Sequence, residues 1–325
     1  MFQILASGIS AMLITLFLGS KFIAFLERNE FGQHIREEGP EDHQRTKKGI
    51  PSLGGLLIMT GITVPFLIIS ERTAAGMLVL GTALGCAAIG FIDDVAKIRM
   101  RRSLGLRARG KFGLQLVLAL AVGLLAVRYV PGIHESLKIP LSNAMIRLGF
   151  GYFLVVFLVV VGSSNAVNLT DGLDGLAAGL VTITMLTYTA IAFITNQADL
   201  GIISACIGGA CVGFLWFNSF PAEVFMGDTG SLGLGGAIAA LAVLTRTEIL
   251  LVVIGGIFVA EALSVIIQVL SFKSFRKRVF LMTPLHHHFE LMSWSETKII
   301  MRFWIVGAIF AATGFTMFYL SIGKH

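Results

Sequence analysis

Ten stretches of this 325-residue chain are long and apolar enough to cross a bilayer: about 2–26, 51–70, 74–92, 112–129, 147–163, 176–194, 200–217, 231–245, 249–271 and 299–321. No other feature constrains the fold so strongly. In hydrocarbon every backbone N–H and C=O must find a partner within the protein, so each stretch reads as a helix. Composition agrees: 55% of side chains are hydrophobic, only 14% are charged, and mean hydropathy is +0.84. A soluble domain of this length needs far more polar surface. The expected fold is therefore an all-α polytopic membrane protein, one integral domain over 1–325. The 37 glycines suit close helix packing. Cys86, Cys206 and Cys211 all lie in apolar runs and read as small buried side chains without a disulfide. No basic region precedes the opening run, so it reads as a first span and not as a cleavable leader.

With ten spans the loops alternate between two sides. One side receives 27–50, 93–111, 164–175, 218–230 and 272–298, with about 17 Lys and Arg against about 6 on the other. The positive-inside rule makes the richer side cytoplasmic and places both termini outside. That bias also accounts for the pI near 9.4 without any call on nucleic acid. Carboxylates do not set topology, yet 14 of 19 Asp and Glu fall in the same cytoplasmic loops. Chemistry on that face explains them most simply.

The second of those loops opens on IDDVAK, where Asp93 and Asp94 are adjacent and Lys97 follows. Neighbours on a helix point about 100° apart, so the two aspartates are not expected to face one ligand in regular helix. Asp93 or Asp94 can share a face with Lys97. A helix-end ion pair accounts for one Asp and the Lys and leaves the second carboxylate over. Lys111 starts the next span. Upstream, HQRTKKGIPSLGG sets Lys47 and Lys48 before a Gly-Ile-Pro turn and Ser52, which suits a phosphorylated ligand or, more plainly, headgroup anchoring.

In SSNAVNLTDGLDGLAAG, a helix over 168–175 would put Asn168, Asp171 and Asp174 on one stripe. No Lys or Arg occurs between 148 and 245 to neutralise those acids. An uncompensated carboxylate pair in a poorly solvated place calls for a cation. FNSFPAEVFMGDTGSLGLGG carries Asp228 in a tight turn before Ser231 and a small-residue helix, whose N-terminus suits phosphate oxygens. Asn218 and Phe225 lie close by in sequence. The last loop holds TPLHHHFE. Consecutive His286, His287 and His288 cannot easily share one zinc, but they suit phosphate or proton chemistry. Five aspartates, several lysines and three histidines with no thiolate point to magnesium and phosphoryl chemistry at a membrane surface. In span 249–271, Glu261 and Gln268 are unusual on a lipid face, so the span is expected to bend or to line the site.

IDDVAK, NLTDGLDGLAAG, FMGDTGS and TPLHHHFE, in this order, resemble the polyprenyl-phosphate N-acetylhexosamine-1-phosphate transferases. The resemblance covers nearly the whole chain, and PLHHHFE points to the bacterial branch whose donor is UDP-N-acetylmuramoyl-pentapeptide. It implies attack of undecaprenyl phosphate on the β-phosphate of that donor, giving lipid I and UMP with Mg2+ as cofactor, in the bacterial plasma membrane and as a homodimer. It further implies that Asp228 holds the metal. Asp93 and Asp94 become the pair that activates the lipid phosphate, one being the nucleophile in a rival two-step scheme. His286, His287 and His288 become catalytic. Lys47, Lys48, Ser52, Lys97, Lys111, Asn168, Asp171, Asp174, Asn218, Phe225, Ser231 and Gln268 become substrate contacts. A phosphate whose second pKa is near 6 needs little help from a base at pH 7, which favours direct attack.

Two rivals compete with this expectation. A sister transferase taking UDP-N-acetylglucosamine would share the aspartates but not the triple histidine. A secondary transporter of an anionic solute would place its carboxylates nearer the bilayer midplane and be built from repeats, and no repeat is visible here. No HExxH occurs, which removes a membrane metalloprotease.

Overall fold

The computed structural model describes residues 1–29, 49–100, 105–142 and 144–322. In chain order the elements are α1 (Phe2–Arg28), α2 (Gly54–Ile69), α3 (Ala74–Met100), α4 (Ala108–Tyr129), β1 (Ser136–Lys138), β2 (Met145–Arg147), α5 (Gly151–Thr170) and α6 (Leu176–Ile194), followed by α7 (Ala198–Asn218), α8 (Gly227–Leu244), α9 (Leu251–Ile254), α10 (Gly256–Phe275), α11 (Leu285–Leu291) and α12 (Glu296–Ile322). Nine of these helices are long and apolar enough to cross a membrane among the described residues. The chain is a multi-pass, all-α membrane protein. Among the described residues the one small sheet is the antiparallel pair β1–β2 in the expected loop 130–146.

The one remaining expected span, 51–70, forms the shorter helix α2 of 16 residues. Its first residues are held elsewhere. Phe225 N–H donates to Pro51 O at 2.9 Å, and Gly54 N–H returns to Phe225 O at 2.8 Å. Backbone pairing to a distant loop thus takes residues that hydropathy assigned to the helix. Span 249–271 is broken at Gly255 into α9 and α10. The expected bend is thus present, and it lies several residues before Glu261 and Gln268.

At the centre stands α8, with 89% of its most apolar window buried. It packs on α3 and α5 because glycine removes side chains at the crossings. A Cβ at Gly90 would lie 2.1 Å from Asp228 O, closer than any carbon can sit. The three cysteines are buried and free.

The two ends of the bundle differ. At one, Ile4 of α1 packs on Gly201, and Asp199 accepts from Glu71 N–H (3.0 Å) and Thr73 N–H (2.7 Å). Lys138 of the hairpin lies 5.8 Å over Phe318 near the end of α12. The same end holds Glu248, which accepts from Tyr152 Oη at 2.9 Å. Burial pushes the Glu248 carboxyl up to about 7. The opposite end gathers the acidic motifs.

Candidate active site

Asp93 and Asp94 lie side by side in the cytoplasm-assigned end of α3, and the helix runs on regularly to Met100. They do point apart, as neighbours must. Asp93 Oδ1 accepts Leu106 N–H at 2.7 Å, and its Oδ2 meets Lys97 Nζ at 2.6 Å. Asp94 turns to α8 instead. It accepts Asp228 N–H at 3.1 Å, Thr229 N–H at 2.8 Å and Thr229 Oγ1–H at 2.7 Å. The expected separation is only partial, because Lys97 Nζ lies within 3.8 Å of both carboxylates and a third one joins them. Asp228, at the first turn of α8, brings its carboxylate close enough that one oxygen from each aspartate lies within 4.8 Å of the others.

The α8 N-terminus differs from expectation in its occupant. Its N–H groups at 228 and 229 face the Asp94 carboxylate, an anion from within the chain, where the sequence suggested phosphate oxygens. Gly227 makes this possible, with φ +68° and a Cβ position only 2.7 Å from Asp94 Oδ2. Ser52 Oγ lies 2.9 Å from the same position, so the α2 entry segment forms part of this wall.

Two lysines answer the carboxylates. Lys97 Nζ is 3.0 Å from Asp228 Oδ1, and Lys111 Nζ donates to Asp228 Oδ2 at 2.6 Å. Counted as formal charges, three carboxylates against two lysines leave one negative. Hard carboxylate oxygens, no thiolate and a negative balance fit a small divalent cation such as magnesium.

From Asp228 the site extends along α5. Asn168 Nδ2 donates to Asp228 Oδ1 (3.0 Å) and to Ser231 Oγ (2.8 Å). The helical stripe conditional on a helix over 168–175 does not form. Helix α5 ends at Thr170, and Asp171 caps it with its N–H on Val167 O and Asn168 O. Residues 171–175 are turns, closed by Gly175 at φ +78°. The bend sends Asp174 away from Asn168: its Oδ2 accepts Ala222 N–H at 3.0 Å, and its own N–H donates to Glu296 Oε1 at 2.9 Å. Asn218 is buried between these loops, accepting Gly175 N–H (3.0 Å) and donating to Val224 O (2.9 Å). Phe225 is half-buried on the loop paired with Pro51.

The histidines diverge on the short helix α11. His286 is fully buried, with Nδ1 3.0 Å from Glu261 Oε1. His287 Nδ1 pairs with Glu290 one turn on. His288 Nδ1 accepts Leu281 N–H at 3.1 Å. Gln268 ties down the chain that leads there, accepting Val279 and Phe280 N–H (2.9 and 3.0 Å) and donating to Phe280 O (2.9 Å). Lys47 and Lys48 lie outside the described residues.

The arrangement therefore joins Asp93, Asp94, Asp228, Lys97, Lys111, Asn168 and Ser231 in direct contact. Among the described residues, the histidine helix approaches the 171–175 turn through His286, which lies against Gly172. Thr229 and Glu296 escaped the sequence reading. Thr229 sits inside the Gly-Asp-Thr-Gly motif, where its hydroxyl was readable as a carboxylate partner. Glu296 carried no local signal, since its partner is 122 residues away.

Residues 76–246 match the family model described as glycosyl transferase family 4. Among curated relatives, a phospho-N-acetylmuramoyl-pentapeptide-transferase of Rubrobacter xylanophilus is 49% identical over 98% of both chains. One of a Geobacillus species is 50% identical over 94% of this chain and 95% of its own. One of Anoxybacillus flavithermus is 49% identical over 94% of each.

Proposed function

The chain belongs to glycosyl transferase family 4, and from that premise we propose that it transfers phospho-N-acetylmuramoyl-pentapeptide from its UDP-linked donor to undecaprenyl phosphate. The products are lipid I and UMP. An oxygen of the lipid phosphate attacks the donor's β-phosphorus. The bond from that phosphorus to the bridging oxygen breaks, and UMP leaves with the electron pair.

One observation carries this reading. Asp93, Asp94 and Asp228 converge within 4.8 Å and are answered by Lys97 and Lys111. Phosphoryl transfer between two anions is limited by repulsion and by charge building on oxygen, so positioned cations do most of the work. Lys97 and Lys111 supply fixed positive charge, and Asn168 orients the Asp228 carboxylate. The three aspartates, Asp228 foremost, would hold magnesium. When bound it screens the phosphates and stabilises their developing charge. Asp93 and Asp94 orient the cations; a lipid phosphate already ionised at pH 7 needs no strong base, which supports one-step attack.

The 171–175 turn with Asn218 beside it, and Phe225 on the loop paired with Pro51, are assigned to the nucleotide end of the donor, and His287 and His288 to its phosphates. The positive-inside bias supports a plasma-membrane protein with these loops in the cytoplasm and both termini outside. The resemblance supports a homodimer, to be read from mass in a mild detergent.

The test is UMP release by purified protein with undecaprenyl phosphate and magnesium, comparing two donors. UMP from the muramoyl donor alone is expected. UMP from UDP-N-acetylglucosamine alone would move the chain to the sister activity, and no release from either would sink the transferase reading.

A further inference from the structure

Outside the aspartate cluster, the described residues bury a carboxylate against an imidazole in the Glu261–His286 pair. Both side chains have no solvent exposure. Glu261 Oε1 lies 3.0 Å from His286 Nδ1, and Oε2 receives the His286 backbone N–H at 3.4 Å. A single carboxylate therefore grips both the ring and the main chain of one residue. The other ring nitrogen, Nε2, has no hydrogen-bond partner among the described residues. It faces the backbone of Gly172, where a Cβ would fall 2.3 Å from it. Gly172 follows Asp171 in the turn that begins where α5 ends, three residues after Asn168 and its bond to Asp228.

We propose that Glu261 is a positioning residue for His286. It fixes the imidazole as the Nδ1–H tautomer, so that Nε2 is presented as a bare acceptor against the Gly172 turn. A carboxylate can only accept here, so the shared proton must sit on Nδ1. Tautomer and ring orientation are set by the bond the other nitrogen makes. The opposite tautomer would leave Nδ1 and Glu261 as two facing acceptors and Nε2–H as a buried orphan donor, an arrangement wrong at both nitrogens. A glycine at 172 supplies the space the ring occupies. Glu261 thus acts on the site through His286 and touches no substrate itself.

This inference rests on the transferase reading for its activity arm, but its first arm needs no turnover. Nitrogen-15 spectra of histidine-labelled full-length protein in nanodiscs, with His286 assigned by its loss in His286→Ala, are expected to show a protonated Nδ1 and a bare Nε2. A protonated Nε2, whether Nδ1 is bare or also protonated, would overturn the assignment in the unaltered chain. The second arm compares Glu261→Gln, His286→Ala and the double variant in UMP release. Glu261→Gln should lose about 10- to 100-fold in kcat/KM. It should divide that loss between kcat and KM as His286→Ala does, and the double variant should lose no more than His286→Ala alone. Multiplying losses, a different kcat-to-KM division, or full activity of Glu261→Gln would each refute it. An unaltered chain that shows the Nδ1–H spectrum but turns over neither donor would fail the function and leave the tautomer standing.

Discussion

Gly90→Ala tests how far the site depends on one helix crossing. The new methyl would lie 2.1 Å from Asp228 O, 2.4 Å from Asp228 C and 2.6 Å from Thr229 N. Ordinary contact requires about 3.4 Å or more, so α3 and α8 must separate locally by roughly 1.3 Å. All three atoms are backbone, and no side chain can swing aside to absorb the strain. The bonds from Asp228 N–H and Thr229 N–H to Asp94, now 3.1 and 2.8 Å, would stretch beyond hydrogen-bonding range. Overpacking of this kind costs about 1–3 kcal/mol of stability. A displacement of about 1 Å between reacting groups costs about 100-fold in rate. The assay is UMP release beside thermal unfolding in the same detergent. Gly81→Ala is the control, on the same helix at an exposed position where a Cβ meets nothing within 4 Å. It should be neutral or slightly stabilising. If Gly90→Ala kept half or more of the activity and melted with the unaltered protein, the claim that this crossing sets the aspartate geometry would be wrong.

Three further outcomes are expected. Asn168→Ala removes a donor from ionised Asp228 and should lower kcat/KM about 10- to 100-fold in the UMP assay, the value of a hydrogen bond to a charged group; a loss under twofold counts against its orienting role. Chelation of divalent cations should stop turnover and added magnesium restore it, while Asp228→Asn should shift the magnesium titration to higher concentration; an unshifted curve would remove Asp228 from the metal site. For Glu248, a carboxyl raised from 4.5 to about 7 keeps its proton in the fold while the unfolded chain loses it. Stability therefore falls as pH rises from about 4.5 to 7, by roughly 3 kcal/mol at most. Glu248→Gln should accordingly raise the melting temperature at pH 8 and leave it nearly unchanged at pH 4.5, and equal effects at both would contradict the assignment.

How much of this was legible in the chain depends on the range of the forces involved. Hydropathy alone determined the class of fold and most of the helices, because a span needs only a run of apolar residues and an internally bonded backbone. It also marked the loops that carry the chemistry, since charge has no place in lipid without a purpose. It overran at Pro51–Leu53, where pairing to Phe225 outweighs the helix, while the bend expected from the polar residues of span 249–271 falls at Gly255. Within the site, residue types foretold carboxylates, lysines and histidines, but not their partners. Sequence geometry said that Asp93 and Asp94 diverge, and they do. Only the packing of α8 onto Gly90 brings Asp228 in as the third carboxylate, and only the fold sets Lys111 on Asp228 across 117 residues. The three histidines looked equivalent as a string. Burial against Glu261 and Gly172 sets one apart from the others, because the strength of a polar contact depends on which surfaces exclude water around it, and that is a property of the packed bundle.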